Sequence, residues 1–503
     1  MVEVYTPPLD DDAARLRELG YEQELKRGLH AFENVAMGFA AISPVVALYG
    51  VVVVSMGIAG PAWVWMLPVA LAGQCLVLVV YSELSSEFPI ANASYQWSRR
   101  LLGPTYGWFN GWVGLCAYAV ANTTVAYLGA PWALTLVGVE PTASRIVLAG
   151  AALVAFSSLV NVLGIDVLKL AIKTGIAAEA LASIGIGLVL LVAFRDHGFS
   201  ILGGTLGAES LSGGSTSAAL VAALAVGGWV FIGFDACGLS SEETKAAARH
   251  VPRAVWIALL SVGAIVILNA FAFTLAHPRP ADVVEGRDAD PVTTAVVASF
   301  GSWSERPFAA LTVIAFLSCG LAAQSISARA IYSVARDGVL PGSRLLRTVS
   351  RRQVPLGAIG VTAAIAWAGL LLGLESAAIG SLIAFGTAGI YVTFLLLAAA
   401  ALVARVRGTW RPAGHVQLGR LGLAANVLAV AWLSFETVNI AWPRASIAPP
   451  GAPWYQVWAA PLVLAAIAVV GLAYLGGARP QRKVDAASPL VPAVASSVDA
   501  RRP

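Results

Sequence analysis

Charge is what this sequence has least of: 12% of its 503 residues are Asp, Glu, Lys or Arg, where soluble domains carry roughly 25%. With 58% hydrophobic residues and a mean hydropathy of +0.77, a water-soluble globular chain is excluded. The net charge of +4 carries no nucleic-acid signal, and no such partner is expected. Cysteine is equally sparse. Cys75, Cys116, Cys237 and Cys319 all fall inside apolar runs, which excludes a disulfide framework and predicts buried thiols. The five histidines (His30, His197, His250, His277, His415) sit in loops or at the ends of apolar runs, so they cannot gather a metal ion at mid-membrane. No HExxH, P-loop or GxSxG pattern occurs, so neither an enzyme, a cofactor nor ATP-driven pumping by this chain is expected. Residues 1–27 alternate acidic and basic side chains without an apolar h-region, so no cleavable signal peptide is expected.

What is present is length of apolar run. Stretches of about 20 residues, enough to cross a ~30 Å hydrocarbon core, recur from residue 29 to 476. Twelve spans are predicted, at 30–55, 61–82, 105–137, 145–163, 169–194, 217–246, 253–276, 303–332, 355–374, 377–404, 420–441 and 454–476. An even number puts both termini on one side. If that side is the cytoplasm, the outer loops hold only Arg145, Arg195, Arg279, Arg287, Arg306 and Arg444 of the 32 basic residues. The positive-inside rule then predicts cytoplasmic termini in a multi-pass cytoplasmic-membrane protein. Residues 1–12 and the tail 479–503 read as solvated and disordered, and 13–28 as a short amphipathic helix on the inner surface.

The stretch 38–49, GFAAISPVVALY, interrupts the first span. Pro44 lacks an N–H and clashes with the preceding turn, while Ser followed by Pro is how a helix starts. Two half-helices meeting at Ile42, Ser43 and Pro44 are therefore predicted. Frayed backbone at that depth survives only where protein buries it or water lines it. A second interruption lies five spans later, in GGWVFIGFDACGLSSEET, where Gly233 and Asp235 break the span. Asp at the bilayer centre costs about 2.5–3.5 kcal/mol on insertion scales. Asp235 is read either as the cap of the second half-helix or as a ligand or proton contact. Breaks five spans apart suggest two five-helix units, at 29–204 and 205–405, in opposite orientation, followed by helices 11 and 12 at 406–478. Such paired interruptions are the best sequence pointer to a transporter site. The half-helix beginning at Ser43-Pro44 offers N–H groups to a carboxylate, and the one ending near Phe231 and Ile232 offers carbonyls to an ammonium. A zwitterion of amino-acid size suits those poles.

Four ordered blocks carry a family resemblance: LRELGYEQELKRGLHAFENVAMGFAAISP (16–44), GQCLVLVVYSELSSEFPIANASYQWS (73–98), GFDACGLSSEETKAAARHVPRA (233–254) and SARAIYSVARDGVLPGS (327–343). They resemble the amino acid/choline branch of the amino acid–polyamine–organocation permeases. The resemblance implies an all-α membrane fold of two inverted five-helix repeats (leucine-transporter type) plus two helices, with substrate at broken helices 1 and 6. The chain departs from the pattern at Ile90-Ala91-Asn92-Ala93 after span 2 and at Ile42-Ser43-Pro44 itself, where glycines are usual.

The resemblance makes Trp229 a candidate gate, because related permeases place an aromatic lid there. Glu179, ten residues past Lys169 in span 5, falls where some proton-coupled relatives place a lysine or histidine. Burial penalises an ionised carboxylate, so Glu179, with Asp235, is a candidate proton carrier. Asn122, Gln324 and Thr387 are candidate cavity residues, as are Ser325 and Ser327, which also suit a sodium site. Glu436 is expected at a helix–helix or oligomer contact. The leading reading is a secondary permease importing an amino acid or small amine by proton symport (sodium is the weaker candidate) with alternating access, its partners being that substrate, the ion and membrane lipid. Choline, ethanolamine, polyamine or GABA uptake and amino-acid exchange are the alternatives within the class. Trp229, Phe231, Phe234 and Tyr118 leave an aromatic cage for a quaternary amine open. From other classes, a nutrient sensor should carry an output domain and a channel has no use for two broken helices.

Overall fold

The computed structural model describes residues 12–448 and 451–483, with side chains except those of 376–385. Most of the two expected tails, 1–11 and 484–503, lies outside the described residues. Hydrocarbon offers no partner for peptide N–H and C=O groups, so a spanning chain must satisfy them within helices or a closed barrel. This chain uses helices. Among the described residues there is no strand beyond two isolated bridge pairs. Among the described residues, twelve helices are long and apolar enough to cross a membrane: α1 (Ala31–Tyr49), α2 (Val52–Glu87), α3 (Pro104–Leu136), α4 (Ala143–Leu163), α5 (Ile165–Ala193), α6 (Thr216–Leu239), α7 (Ala247–Ala276), α8 (Ser302–Arg336), α9 (Leu356–Leu374), α10 (Gly386–Val406), α11 (Gly419–Ala441) and α12 (Ala459–Ala478).

The count agrees with the expectation, and the boundaries shift for local reasons. The first span stops at Tyr49, because Gly50 and Val51 form a turn before α2, and Pro61 sits in the opening turn of a 3-10 segment, Gly60–Trp65, within α2. Helix α7 starts six residues before the expected position. Its first N–H groups, of Ala246 and Ala247, are bonded by the Asp12 carboxylate at 2.7 and 3.0 Å. A cap supplied from 234 residues away has no local sequence signal. The helix Ala93–Leu102, too short to span, was not expected and lies between α2 and α3.

At the heart of the bundle α3 packs along α8 and α10, and α1 against α7 and α8. One end is closed by a strap. The expected helix over 13–28 covers only Asp12–Glu18; Gly20 then turns with φ 85°, and the chain continues without further helix to Leu29. Leu29 pairs its backbone with the α6–α7 connection: its N–H donates to Glu243 O at 2.8 Å, and Lys245 N–H donates to Leu29 O at 2.9 Å. Under the strap, Asp337 accepts from Arg99 (2.7 Å), Tyr95 (2.7 Å) and Tyr21 (2.8 Å). Burial and the Asp337 charge hold the Tyr21 hydroxyl above its ordinary pKa, so it stays a donor. Beside it Arg336 pairs with Glu242 at 2.8 Å, Arg329 pairs with Glu243, and Tyr332 donates to Glu24 at 2.6 Å.

The Arg99–Asp337 pair is almost fully buried. Removing one partner of such a pair leaves an uncompensated charge, at about 3–5 kcal/mol. Asp337→Ala is therefore expected to lower the melting temperature of the purified protein in detergent sharply. An unchanged melting curve would contradict the network's role in closing this end.

Candidate functional site

Both interruptions are present. Helix α1 consists of Ala31–Ile42 and Pro44–Tyr49, with Ser43 between them at φ 51°, a left-handed conformation uncommon for a residue with a side chain. The Ser43 side chain makes that turn tolerable. Its Oγ accepts from Val46 N–H at 3.2 Å, capping the second half, and its own hydroxyl donates to Glu179 Oε1 at 2.6 Å. Helix α6 runs Thr216–Gly227, tightens to a 3-10 turn over Gly228–Phe231, loses helical form at Ile232 and Gly233, and resumes at Ala236–Leu239.

The two breaks abut. Gly233 takes φ 104°, and a Cβ placed on it would lie 2.8 Å from the Ala41 carbonyl oxygen and 3.1 Å from Ile42 N. Glycine is thus demanded twice, by backbone conformation and by the backbone opposite.

A small cavity lies at this crossing, about 50 Å³ in volume. It is framed by Ile42 and Val46 of α1, Tyr118 of α3, Trp229, Ile232, Gly233 and Asp235 of α6, Cys319 and Ser327 of α8, and Ile390 of α10. Liquid water occupies about 30 Å³ per molecule and drug-sized sites about 300–1,000 Å³, so the hollow is contracted. The strap network closes one end. Toward the other, Tyr49 packs against Phe273, Phe308 and Trp132 with ring centroids 5.5–6.0 Å apart. Among the described residues, the walls are apolar except for Asp235, Tyr118, Ser327, the Cys319 thiol and the Trp229 indole N–H, and no Lys, Arg or His lines them.

Asp235 is buried, and Tyr118 donates a hydrogen bond to its Oδ2. The capping alternative is not what this side chain does: Asp235 precedes Ala236–Leu239 and makes no side-chain cap bond to it. Glu179 is fully buried on α5 with its second oxygen unpartnered, beside a six-residue π-helical stretch, Ala180–Gly185. Single π-turns often accompany functional positions.

Of the residues singled out from sequence, Ile42, Tyr118, Trp229, Ile232, Gly233, Asp235 and Ser327 line the cavity. Ser43 touches Glu179 instead, Pro44 begins the second half-helix, and Phe231 is packed in the core. Asn122 and Gln324 pair with each other at 2.5 Å behind the wall, Gln324 reaching on to Ser158 and to Ile359 O. Thr387 is buried but outside the lining. Ser325 binds Arg329. Glu436 is fully buried and faces α6, which makes it a helix–helix contact. Ala41, Val46, Ala121, Val125, Cys319 and Ile390 were not singled out; plain apolar residues carry no signal that separates cavity from core.

Chains similar to this one are permeases. The family model described as "Amino acid permease" matches residues 32–478. The amino-acid permease BAT1 homolog of Oryza sativa subsp. japonica is 28% identical, covering 86% of this chain and 88% of that protein. Amino-acid permease BAT1 of Arabidopsis thaliana is 25% identical over 93% and 94%. The low-affinity putrescine importer PlaP of Escherichia coli K12 is 26% identical over 64% and 69%.

Contact of the breaks gives a direct test. Gly233→Ala is expected to cost at least about 1–3 kcal/mol through the forced backbone alone, read as a lower melting temperature and poor recovery of folded protein. Gly360→Ala, with no atom within 4 Å of the added carbon, is the control and should melt like the parent.

Proposed function

The chain belongs to the amino acid permease family, within the amino acid–polyamine–organocation superfamily, and from that premise we propose that it is a secondary transporter carrying an amino acid or small amine by alternating access, driven by protons. The observation that carries the reading is the small cavity at two abutting helix breaks, with one carboxylate facing it and a second, Glu179, bonded to the break itself. The substrate ammonium meets Asp235 and the carbonyl end of the first half of α6. Trp229 covers it. The helices must part to admit it, since the closed hollow holds little more than water.

The proton step uses Glu179. Ionised, it accepts the Ser43 hydroxyl; protonated, it gives up much of the strength of that bond, because charge-assisted bonds are roughly twice as strong as neutral ones. Proton binding therefore loosens the turn at which α1 bends. Both termini and the strap lie on the cytoplasmic side, in keeping with the charge distribution of the loops, and the aromatic cluster around Tyr49 faces outward.

A second reading, an amine without a carboxylate, is favoured by the donors left at the α1 break. Pro44 has no N–H, Val46 N–H is used by Ser43 Oγ, and Ala47 N–H is used by Ser43 O. Little remains to hold a substrate carboxylate, and the similar putrescine importer fits this alternative.

The deciding measurement is radiolabelled uptake into proteoliposomes under an imposed pH gradient, over a panel of amino acids, choline and diamines. Saturable, gradient-dependent uptake is expected; gradient-independent flux at channel rates would overturn the reading. Glu179→Gln is expected to abolish pH-driven accumulation while sparing exchange, and unchanged accumulation at every pH would rule out its role. Asp235→Asn should raise KM for the preferred amine at least about thirtyfold, the equivalent of 2 kcal/mol for an uncompensated buried pair; an unchanged KM would remove Asp235 from the site.

A further inference from the structure

Glu436 is a buried carboxylate that the transport reading leaves unused. It lies on α11 with no exposed surface; Oε2 accepts from Asn439 Nδ2 at 3.1 Å, and Oε1 has no partner. Oε1 faces the 3-10 turn that leads into the α6 break. It lies 3.4 Å from the point where a Cβ on Gly228 would sit, and the Tyr391 hydroxyl lies 3.3 Å from the same point.

The donors around it are already committed. Gln74 Nε2 donates to the Tyr391 hydroxyl at 2.6 Å, and that hydroxyl donates to Gly228 O at 3.2 Å. Gln74 Oε1 is unpartnered as well. An ionised carboxylate has about four lone-pair sites to fill, and this one receives a single neutral donor. The cluster is short of hydrogen.

The titratable groups bearing on Glu436 are Tyr391 of α10 and Arg444, beyond the end of α11. Neighbouring α2 and α6 present Gln74 and Gly228, which do not titrate. Arg444 bonds to Asn439, to whose O and Oδ1 it donates at 2.5 and 2.6 Å, and acts on the carboxylate by its charge without a direct hydrogen bond.

A route for the missing hydrogen is visible. An open groove of about 900 Å³ runs between α6 and α11; its walls are mostly apolar, among them Val221, Phe435 and Trp442, with Asn439 and Arg444 among its few polar groups. Asn439 thus lines the groove and also binds Glu436.

We infer that Glu436 is a proton-binding site distinct from Glu179, loaded through the groove at the Arg444 end of α11, and that its proton supplies the donor lacking between α11 and the Gly228 turn of α6. In the step a hydronium ion in the groove gives its proton to Oε1, the carboxylate becomes a neutral acid, and one water is released. No other bond changes. The proton-bound form ties α11 to the first half of α6; its loss leaves a buried anion there.

Infrared difference spectroscopy of the full chain in liposomes, titrated from acid to alkaline pH, tests this without reference to any substrate. A protonated-carboxyl band is expected that disappears in Glu436→Gln and persists in Glu179→Gln. A band unchanged in Glu436→Gln would overturn the assignment. The proposed proton supplies a donor that is lacking only in the folded packing of α11 against α6, so the stability it adds is present at acid pH and is lost as pH rises. The melting temperature of the parent should fall more steeply with rising pH than that of Glu436→Gln, whose remaining slope comes from the other buried carboxylates; identical slopes would also overturn it. If Glu436→Gln fails to fold, Glu436→Asp, one methylene shorter, should shift the band, and an unshifted band would be contrary evidence. Failure here leaves the Glu179 uptake test intact, and the reverse holds too.

Discussion

Backbone meets backbone where the Ala41 carbonyl faces Gly233, and the remaining architecture is arranged around that contact. Two helices interrupted at the same depth expose peptide groups that hydrocarbon cannot satisfy. Pressing the interruptions together and surrounding them with α3, α8 and α10 keeps lipid away. The contact also restricts each partner. Residue 233 is confined to glycine, and Ser43 is held in a left-handed turn made tolerable by the bond its hydroxyl accepts and the one it donates. A helix bent by a side chain that is hydrogen-bonded to a titratable group is a joint with a handle.

The scarce charges are distributed with equal economy. Glu179, Asp235 and Glu436 are buried far from the paired networks of the strap, and their hydrogen-bond partners are neutral: Ser43, Tyr118 and Asn439. Neutral donors make an anion tolerable without fixing its charge, whereas an adjacent arginine would hold it ionised. At the strap, by contrast, the chain uses direct Arg–carboxylate pairs, as at Asp337, Glu242 and Glu243. The contrast separates carboxylates paired directly with an arginine from carboxylates bonded only by neutral donors.

Fold class and both breaks were legible because they follow from short-range chemistry. Apolar length announces a span, Ser-Pro announces a new helix start, and Gly233 beside Asp235 announces an interruption. The strap was not legible. Its helix stops at Glu18, and its residues are held by backbone pairing with 243–245 and by Asp12 capping α7, contacts more than 200 residues apart in the chain. Candidates chosen for polarity divided by geometry. Asp235 faces the cavity, while Asn122 and Gln324 satisfy each other behind the wall. In an apolar interior, a polar side chain is more cheaply paired with another than left facing a hollow. Polarity alone therefore finds interhelical bonds as readily as sites.

The two closures differ in what opening them requires. Parting the strap network exposes Arg99, Asp337, Arg336 and Glu242 to water, and hydration recovers much of what the lost pairs gave, because desolvation had already offset most of their attraction. Parting Tyr49 from Phe273, Phe308 and Trp132 exposes aromatic surface, at about 25 cal/mol per Å² with no comparable return. The charged end is then a closure sensitive to salt and to the charge state of single residues, and the aromatic end is one sensitive to what fills the space beside it. On the proposal that substrate sits at the breaks, its apolar surface would contribute directly to the second closure and only through α1 and α6 to the first. That asymmetry follows from the side chains at each end; on the proposed reading, the turn at Ser43 is the link between occupancy of the cavity and the strap.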